Sequence, residues 1–497
     1  MVPKYDRYQR QQNSTPTRLN KKTNILTTSR GNMKERVWTI ILTIIITFCI
    51  PMTAAQIEFN PECPLSTHAP ISDHTPEQIH IQLTQNPSEM LVIWATPGLT
   101  NSIVEYGIGI DDPNAEKNVV EGTEMCYDHN MVFHSAIMTD LLPGTEYTYR
   151  VGDNHAADWS DTFKFVTQDL EKESFEFIAF GDHGMSDEAQ DTANLVRSFD
   201  DVELVILSGD ISYANGDQSV WDDYGKKYQT TMAKIPWMMA PGNHENETDY
   251  GYAFDAYETR FEMLSSSGND FWHSFDYGGV HFVAISTEHP YYEGSEQLEW
   301  IKEDLASANL NRNEVPWIVI YGHQPLYTSH GDDSHDENMI ELRTLLEPIL
   351  FENSVDLAVW GHDHFYERTW PVVNGNVTTR GINDEGLMFV SGFSPIHIVA
   401  GIGGKDSYQY ADEKPVWSYH RESTHGVIHI SVNHSTETMH VEYVRNDYTV
   451  GDSFLLVKDS SKDLIIIEVE EGIPGPGIVL NLLVITTASI FKRKERI

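Results

Sequence analysis

Five times between residues 175 and 364, a short apolar run ends in a glycine followed by polar residues. FEFIAF runs into GDHG, VELVILS into GDISY, WMMAP into GNHE, WIVIY into GHQP and LAVW into GHDH. Runs of this length bounded by turn residues read as strands. Helical segments fit between them, such as DEAQDTANLVRSF at 187–199 and ENMIELRTLLEPIL at 337–350. That alternation predicts an α/β domain, in which ligands gather at the carboxyl ends of the strands.

Each strand end carries side chains that bind metals: Asp182, Asp210 with Tyr213, Asn243 with His244, His323, and His362 with His364. Together they suffice for two adjacent cation sites. Gly181, Gly209, Gly242, Gly322 and Gly361 precede the key residues and suit tight turns with close backbone approach. A single GNHE, or two histidines two apart, is an ordinary strand-to-loop turn. Five such clusters in order, all at strand ends, are a constellation. Strand-like alternation should project His362 and His364 to one side, each toward a different metal, with Asp363 pointing away.

The preceding part has another texture. From Gln78 to Thr167 the segments IHIQL, MLVIWAT, SIVEYGI, HSAIMTDL, YTYRVGD and TFKFVT are separated by Pro, Gly and Asn turns. This predicts an antiparallel β-sandwich. LLPGTEYTYRV at 141–151 resembles the tyrosine-corner region of fibronectin type III domains. No titratable cluster occurs here, so the module reads as a scaffold or substrate rim. The expected domains are a signal region at 1–55, with 1–32 as an upstream extension, a fibronectin type III-like domain at 56–168, a catalytic domain at 169–460 and a tail at 461–497.

Net charge restricts the partners. With 33 Lys and Arg against 75 Asp and Glu, the formal charge is −42, which argues against nucleic acid. A phosphate ligand would need a local positive charge, and a bound metal supplies it most economically.

VWTIILTIIITFCI at 37–50 follows Lys34 and Arg36 and precedes TAA, the pattern of a secretory signal peptide beginning at Met33. Removal of residues 1–55 discards nine Lys/Arg and two Asp/Glu and leaves 24 basic against 73 acidic residues, a net of −49. A secreted or luminal, lysosomal location follows, with Asn246, Asn376 and Asn433 in N-glycosylation triplets. Cys63 and Cys126 then occupy a compartment that permits disulfides, and their pairing stays open. GIVLNLLVITTASIF near the C-terminus, followed by KRKER, resembles a short stop-transfer segment, so membrane anchoring at the cell surface is an alternative to a soluble form.

The order and wording of the clusters resemble the calcineurin-like metallophosphoesterases. GDISY, with its tyrosine, is similar to the purple acid phosphatases, and GHDHFYERTWP looks most like their animal members. The resemblance covers roughly residues 70–455. It implies a metallophosphatase α/β β-sandwich domain in which Asp182, Tyr213 and His364 bind Fe(III), and Asn243, His323 and His362 bind Fe(II), Zn(II) or Mn(II). Asp210 would bridge the two. Carboxylate and phenolate oxygens suit hard trivalent iron, whereas imidazoles with an amide suit the divalent ions.

The implied activity is that of an acid phosphatase, with a metal-bound hydroxide attacking phosphate monoesters. His244 is the catalytic candidate, contacting the phosphate or protonating the leaving group. Small phosphate monoesters are the expected substrates, and phosphoproteins remain open. Plant members carry a histidine pair after the motif matching His323, but His330 and His335 do not align with it and receive no role. Glu245 reads equally as an orienting group or a solvated turn residue. Two rival readings are a metal-dependent phosphodiesterase or nucleotide pyrophosphatase on the same site, and a fibronectin-like adhesion protein with an inactive phosphatase domain. Substrate identity and oligomeric state are not encoded in these motifs.

Overall fold

The computed structural model describes residues 74–458, apart from 99, 113–114, 128–130, 154–157, 332–335, 379–387 and 393. The signal segment, the apolar tail and the pairing of Cys63 with Cys126 lie outside the described residues. Among the described residues, no helix is long and apolar enough to cross a membrane.

The first module is the expected antiparallel β-sandwich. One sheet contains β1 (Glu77–Leu83), β2 (Met90–Thr96), β5 (Thr123–Tyr127) and β6 (Met131–Met138), in the order β1-β2-β6-β5. The other contains β3 (Ile103–Gly107), β4 (Asn118–Glu121), β7 (Glu146–Asp153), β8 (Asp158–Trp159) and β9 (Phe163–Val166). Its order is β4-β3-β7-β8, with β9 also paired to β7. Trp94, Phe133, Tyr149 and Phe165 fill the core, each large side chain stabilising by about 1.5–3 kcal/mol on burial. The tyrosine corner is present, since Tyr147 Oη accepts the N–H of Leu142 at 3.0 Å.

The second module stacks two seven-stranded sheets. The first has the order β12-β11-β10-β23-β24-β25-β20. Its strands are β10 (Ser174–Phe180), β11 (Val202–Ser208), β12 (Trp237–Ala240), β20 (Met388–Val390), β23 (Gly426–Asn433), β24 (Thr438–Arg445) and β25 (Val450–Val457). The second has the order β13-β14-β15-β16-β21-β17-β22. It uses β13 (His273–Tyr277), β14 (Val280–Ala284), β15 (Trp317–Gly322), β16 (Leu357–Trp360), β17 (Tyr366–Thr369), β21 (Ile396–Ala400) and β22 (Ser418–Glu422). A small hairpin joins β18 (Val372–Val373) to β19 (Asn376–Val377). Phe177 of β10 meets Phe282 of β14 edge to face, with ring centres 5.0 Å apart, where the two sheets pack.

Patterning explains the two kinds of strand. Central β11 lies between parallel neighbours β10 and β12 and is buried nearly throughout. By contrast, β24 buries alternate residues and leaves one face partly open. The helices are α1 (Asp187–Val196), α2 (Gln218–Met232), α3 (Asp255–Arg260), α4 (Glu296–Leu310) and α5 (Asp336–Glu352). Ser186, Asp217 and Ser295 cap the first turns of α1, α2 and α4 with side-chain oxygens.

The sandwich is latched onto α2 and α3. Ile79 N–H donates to Gln229 Oε1 at 3.0 Å, and Gln78 Nε2 donates to Asp222 Oδ1 at 3.1 Å. Arg260, paired with Asp222 at 2.8 Å, lies over the rings of Tyr127 and Phe133 at 5.0 and 4.8 Å. These contacts carry a sandwich strand to the helix that begins just after the Tyr213 loop.

Candidate metal centre

All five strand ends meet at one edge of the paired sheets. Asp182 follows β10, Asp210 and Tyr213 follow β11, and Asn243 with His244 follow β12. From the other sheet come His323 after β15, and His362 with His364 after β16. Close approach requires the glycines: a Cβ at Gly209, which has φ +81°, would lie 2.6 Å from His323 Nδ1, and one at Gly242 would lie 2.3 Å from Asp210 Oδ1.

The seven candidate ligands form two groups about a shared carboxylate. In the first, Tyr213 Oη lies 2.8 Å from Asp182 Oδ1 and 3.0 Å from His364 Nε2, and His364 Nε2 lies 3.2 Å from Asp182 Oδ1. In the second, Asn243 Oδ1 lies 2.9 Å from His323 Nε2 and 3.0 Å from His362 Nδ1, with the two ring nitrogens 3.2 Å apart. Asp210 Oδ1 is 3.2 Å from His323 Nε2. Donor atoms of Asp182, Asp210 and His323 all lie within 4.8 Å of one another.

The backbone is held in an uncommon conformation at these positions. Asp182, Asp210, Tyr213 and His362 have φ of 59°, 54°, 56° and 70°. Non-glycine residues adopt this region rarely, and such strain is retained chiefly at functional sites. His362 also corrects the strand-like alternation expected of GHDH. Residues 362–365 form a bend, and the positive φ of His362, rather than alternation along a strand, accompanies the placement of the two imidazoles in different groups. Asp363 between them is fully buried.

Neighbouring atoms fix the histidine tautomers. His323 Nδ1 pairs with the Ser208 carbonyl at 2.9 Å and His364 Nδ1 with the Asp406 carbonyl at 2.7 Å. A ring that keeps its Nδ1 proton for its carbonyl can give Nε2 to a metal, as metal-binding histidines do.

Electrostatics point the same way. Burial and the adjacent Asp182 and Asp210 carboxylates push the Tyr213 phenol well above its usual range. Burial alone would lower His323, but Asp210 outweighs it and holds the imidazole protonated. Burial, reinforced by His323, lowers His362 to about 4. Closely packed oxygens and nitrogens of this kind, stabilised only by scarce protons, fit a pair of cations. The donor chemistry agrees, with two carboxylates, a phenol, an amide and three imidazoles.

Surrounding residues resolve what the sequence left open. Glu245 is fully buried and accepts the N–H groups of Asp210, Ile211 and Gly242, each at 2.8 Å, tying two ligand loops together. Burial and Asp210 raise its carboxyl to about 8. His244 packs against Tyr213 with ring centres 4.4 Å apart and ring planes tilted by 49°, pairs through Nδ1 with Asn215 Oδ1 at 2.5 Å, and brings Nε2 to 3.8 Å from Asp210 Oδ2. His330 lies beyond the centre against Phe365 and Tyr408; His335 is outside the described residues. Asn215, Lys405 and Tyr408 border the centre without having been singled out by motif. Their only sequence signals are the polar tail of GDISYAN and a lone lysine after GIGG.

Comparisons with known proteins agree with this architecture. The purple acid phosphatase N-terminal domain model matches residues 76–167, the calcineurin-like phosphoesterase model 151–366, and the iron/zinc purple acid phosphatase-like C-terminal model 394–453. Acid phosphatase type 7 of Danio rerio is 31% identical over 434 residues, covering 80% of this chain and 94% of the relative. Probable purple acid phosphatase 20 of Arabidopsis thaliana is 30% identical over 399 residues, covering 78% and 87%. The structure of purple acid phosphatase PPD1 from yellow lupin seeds shares the fold, with a TM-score of 0.71 at 24% identity over 78% of this chain and 75% of that one. With family models matching both modules and a relative 31% identical along most of its length, the chain belongs to the purple acid phosphatase family.

Proposed function

We propose that this protein is an acid phosphatase that hydrolyses phosphate monoesters at a dinuclear metal centre. One observation carries the reading: seven donor side chains from five strand ends form two groups of three around Asp210. Asp182, Tyr213 and His364 would hold trivalent iron. Asn243, His323 and His362 would hold Fe(II), Zn(II) or Mn(II), and Asp210 would serve both. When bound, the metal pair supplies Lewis acidity and a nucleophile that survives acidic pH.

The chain's own residues supply the rest. Glu245 and the glycine turns hold the ligand loops in register. Asn215 accepts the Nδ1 proton of His244 and leaves Nε2 to face the centre, where it meets the ester phosphate or delivers a proton to the leaving oxygen. The filled ligand set disfavours the inactive adhesion reading.

We further infer a secretory route. The signal-like segment after Met33 would deliver the chain to the secretory pathway, and Asn246 and Asn376 are exposed for glycosylation. Retention of full mass after peptide N-glycosidase treatment of secreted protein would contradict glycosylation.

Comparing p-nitrophenyl phosphate with its bis-ester at acidic pH tests the activity. Preferential hydrolysis of the monoester is expected. Turnover of the diester alone would assign the site to a phosphodiesterase.

A further inference from the structure

Most cations buried in this acidic protein are matched. Arg368 pairs with Asp452 at 2.6 Å, Arg260 with Asp222 at 2.8 Å, and both Arg312 and Lys458 with Asp356 at 2.6 Å. Lys405 differs. Its side chain is partly buried, and among the described residues no acceptor oxygen lies within hydrogen-bond reach of its Nζ. The ammonium instead sits 4.6 Å from the centre of the Tyr213 ring.

The backbone of Lys405 is nonetheless fixed beside the metal centre. Its N–H donates to the Asp182 carbonyl at 3.1 Å, and its own carbonyl accepts from His425 Nε2 at 2.8 Å. Just before it, Gly403 N–H donates to Gly181 O at 2.9 Å, and Ser186 Oγ donates to Gly404 O at 2.6 Å. Just after it, Tyr408 stacks on His364 with ring centres 3.9 Å apart. This segment therefore forms a wall on the Tyr213 and His364 side, and Lys405 is its only cation.

A partly desolvated ammonium without an acceptor is stabilised when an anion arrives. The neighbouring protein groups are carboxylates, a phenol and imidazoles, in a chain of net charge −42. A fixed positive charge here offsets that repulsion for a phosphate in particular. We propose that Lys405 is a phosphate-recognition residue. Its ammonium donates to a non-bridging oxygen of the bound ester, favouring doubly charged monoesters over singly charged diesters. The inference rests on the phosphatase reading and names a recognition residue for that same site.

The test uses the full-length, metal-loaded protein with inorganic phosphate as the probe in titration calorimetry, alongside steady-state hydrolysis of p-nitrophenyl phosphate and its bis-ester. Lys405→Met keeps an unbranched stem over the Tyr213 ring and removes the charge, whereas Lys405→Arg keeps the charge. Lys405→Met should weaken phosphate binding and raise the monoester KM by roughly tenfold or more. The diester KM should move less, and Lys405→Arg should recover most of the loss. Phosphate affinity and monoester KM both within about twofold of wild type in Lys405→Met would overturn the role of Lys405 and leave the phosphatase reading standing. A wild type that hydrolyses neither ester would overturn the phosphatase reading, while calorimetry with phosphate would still report on Lys405 directly.

Discussion

Tyr127, a sandwich residue, donates its hydroxyl to Gln218 Oε1 at 2.7 Å, across the boundary between the two modules. The same amide donates to Glu247 Oε2 at 2.7 Å, and Glu247 Oε1 accepts Gly216 N–H at 2.8 Å and Trp221 Nε1 at 3.2 Å. Glu247 is fully buried. The sandwich is thus tied to the loop that carries Tyr213 and Asn215.

Tyr127→Phe removes one buried hydrogen bond and should cost about 1 kcal/mol of stability. Glu247→Gln should cost more, about 2–3 kcal/mol, because its amide NH2 would face donors that now meet a carboxylate. Urea denaturation measures both. Equal stability of Glu247→Gln and wild type would show that the relay carries no load.

Tyr213 allows a spectroscopic prediction. A phenolate on trivalent iron absorbs visible light, so the oxidised, iron-loaded protein should be purple to pink. Tyr213→Phe keeps the ring between His244 and Lys405 but removes the oxygen, and should abolish the band. An unchanged band in the variant would remove Tyr213 from the ligand set.

Asn243 and His323 belong to only one of the two groups. Asn243→Ala or His323→Ala should therefore lower the metal content from two ions per chain toward one, with turnover lost. Elemental analysis of the purified variants reads this directly. Wild-type turnover from a variant shown to hold one ion would contradict the two-metal mechanism.

His281, on β14 and outside the candidate ligand set, predicts a pH effect on stability. Burial alone would lower it, but hydrogen bonds to Asp276 at 2.6 Å and Asp304 at 2.9 Å raise it from 6.5 to about 9. Because the folded value is the higher one, its contribution is complete below about pH 6.5 and is lost as pH rises through about 9. With Asp276 half exposed, solvent reduces this to about 1–2 kcal/mol. Denaturation of wild type and His281→Ala at pH 6 and pH 9.5 should show a gap that narrows at the higher pH.

Much of this was legible in the sequence because the signals were local. Each ligand follows an apolar strand and a glycine within a few residues, so the strand ends and all seven donors could be read from single short segments. Glu245, Glu247 and Tyr127 were not legible in that way. Their roles depend on partners such as Asp210, Gly216 and Gln218, which only the fold brings near. Lys405 follows GIGG at the end of β21, where a lone lysine beside Asp406 matches no metal-ligand motif. His362 and His364 do reach different groups as expected, but through a bend with a left-handed His362 in place of a strand, and residue type alone does not reveal a positive φ at histidine.

The most direct test of the central claim is a metal titration of chelator-stripped, full-length protein, followed by hydrolysis of p-nitrophenyl phosphate at acidic pH. The account predicts that activity appears with metal and saturates at two ions per chain. Full activity at one ion per chain, or hydrolysis that persists in the stripped protein, would contradict it.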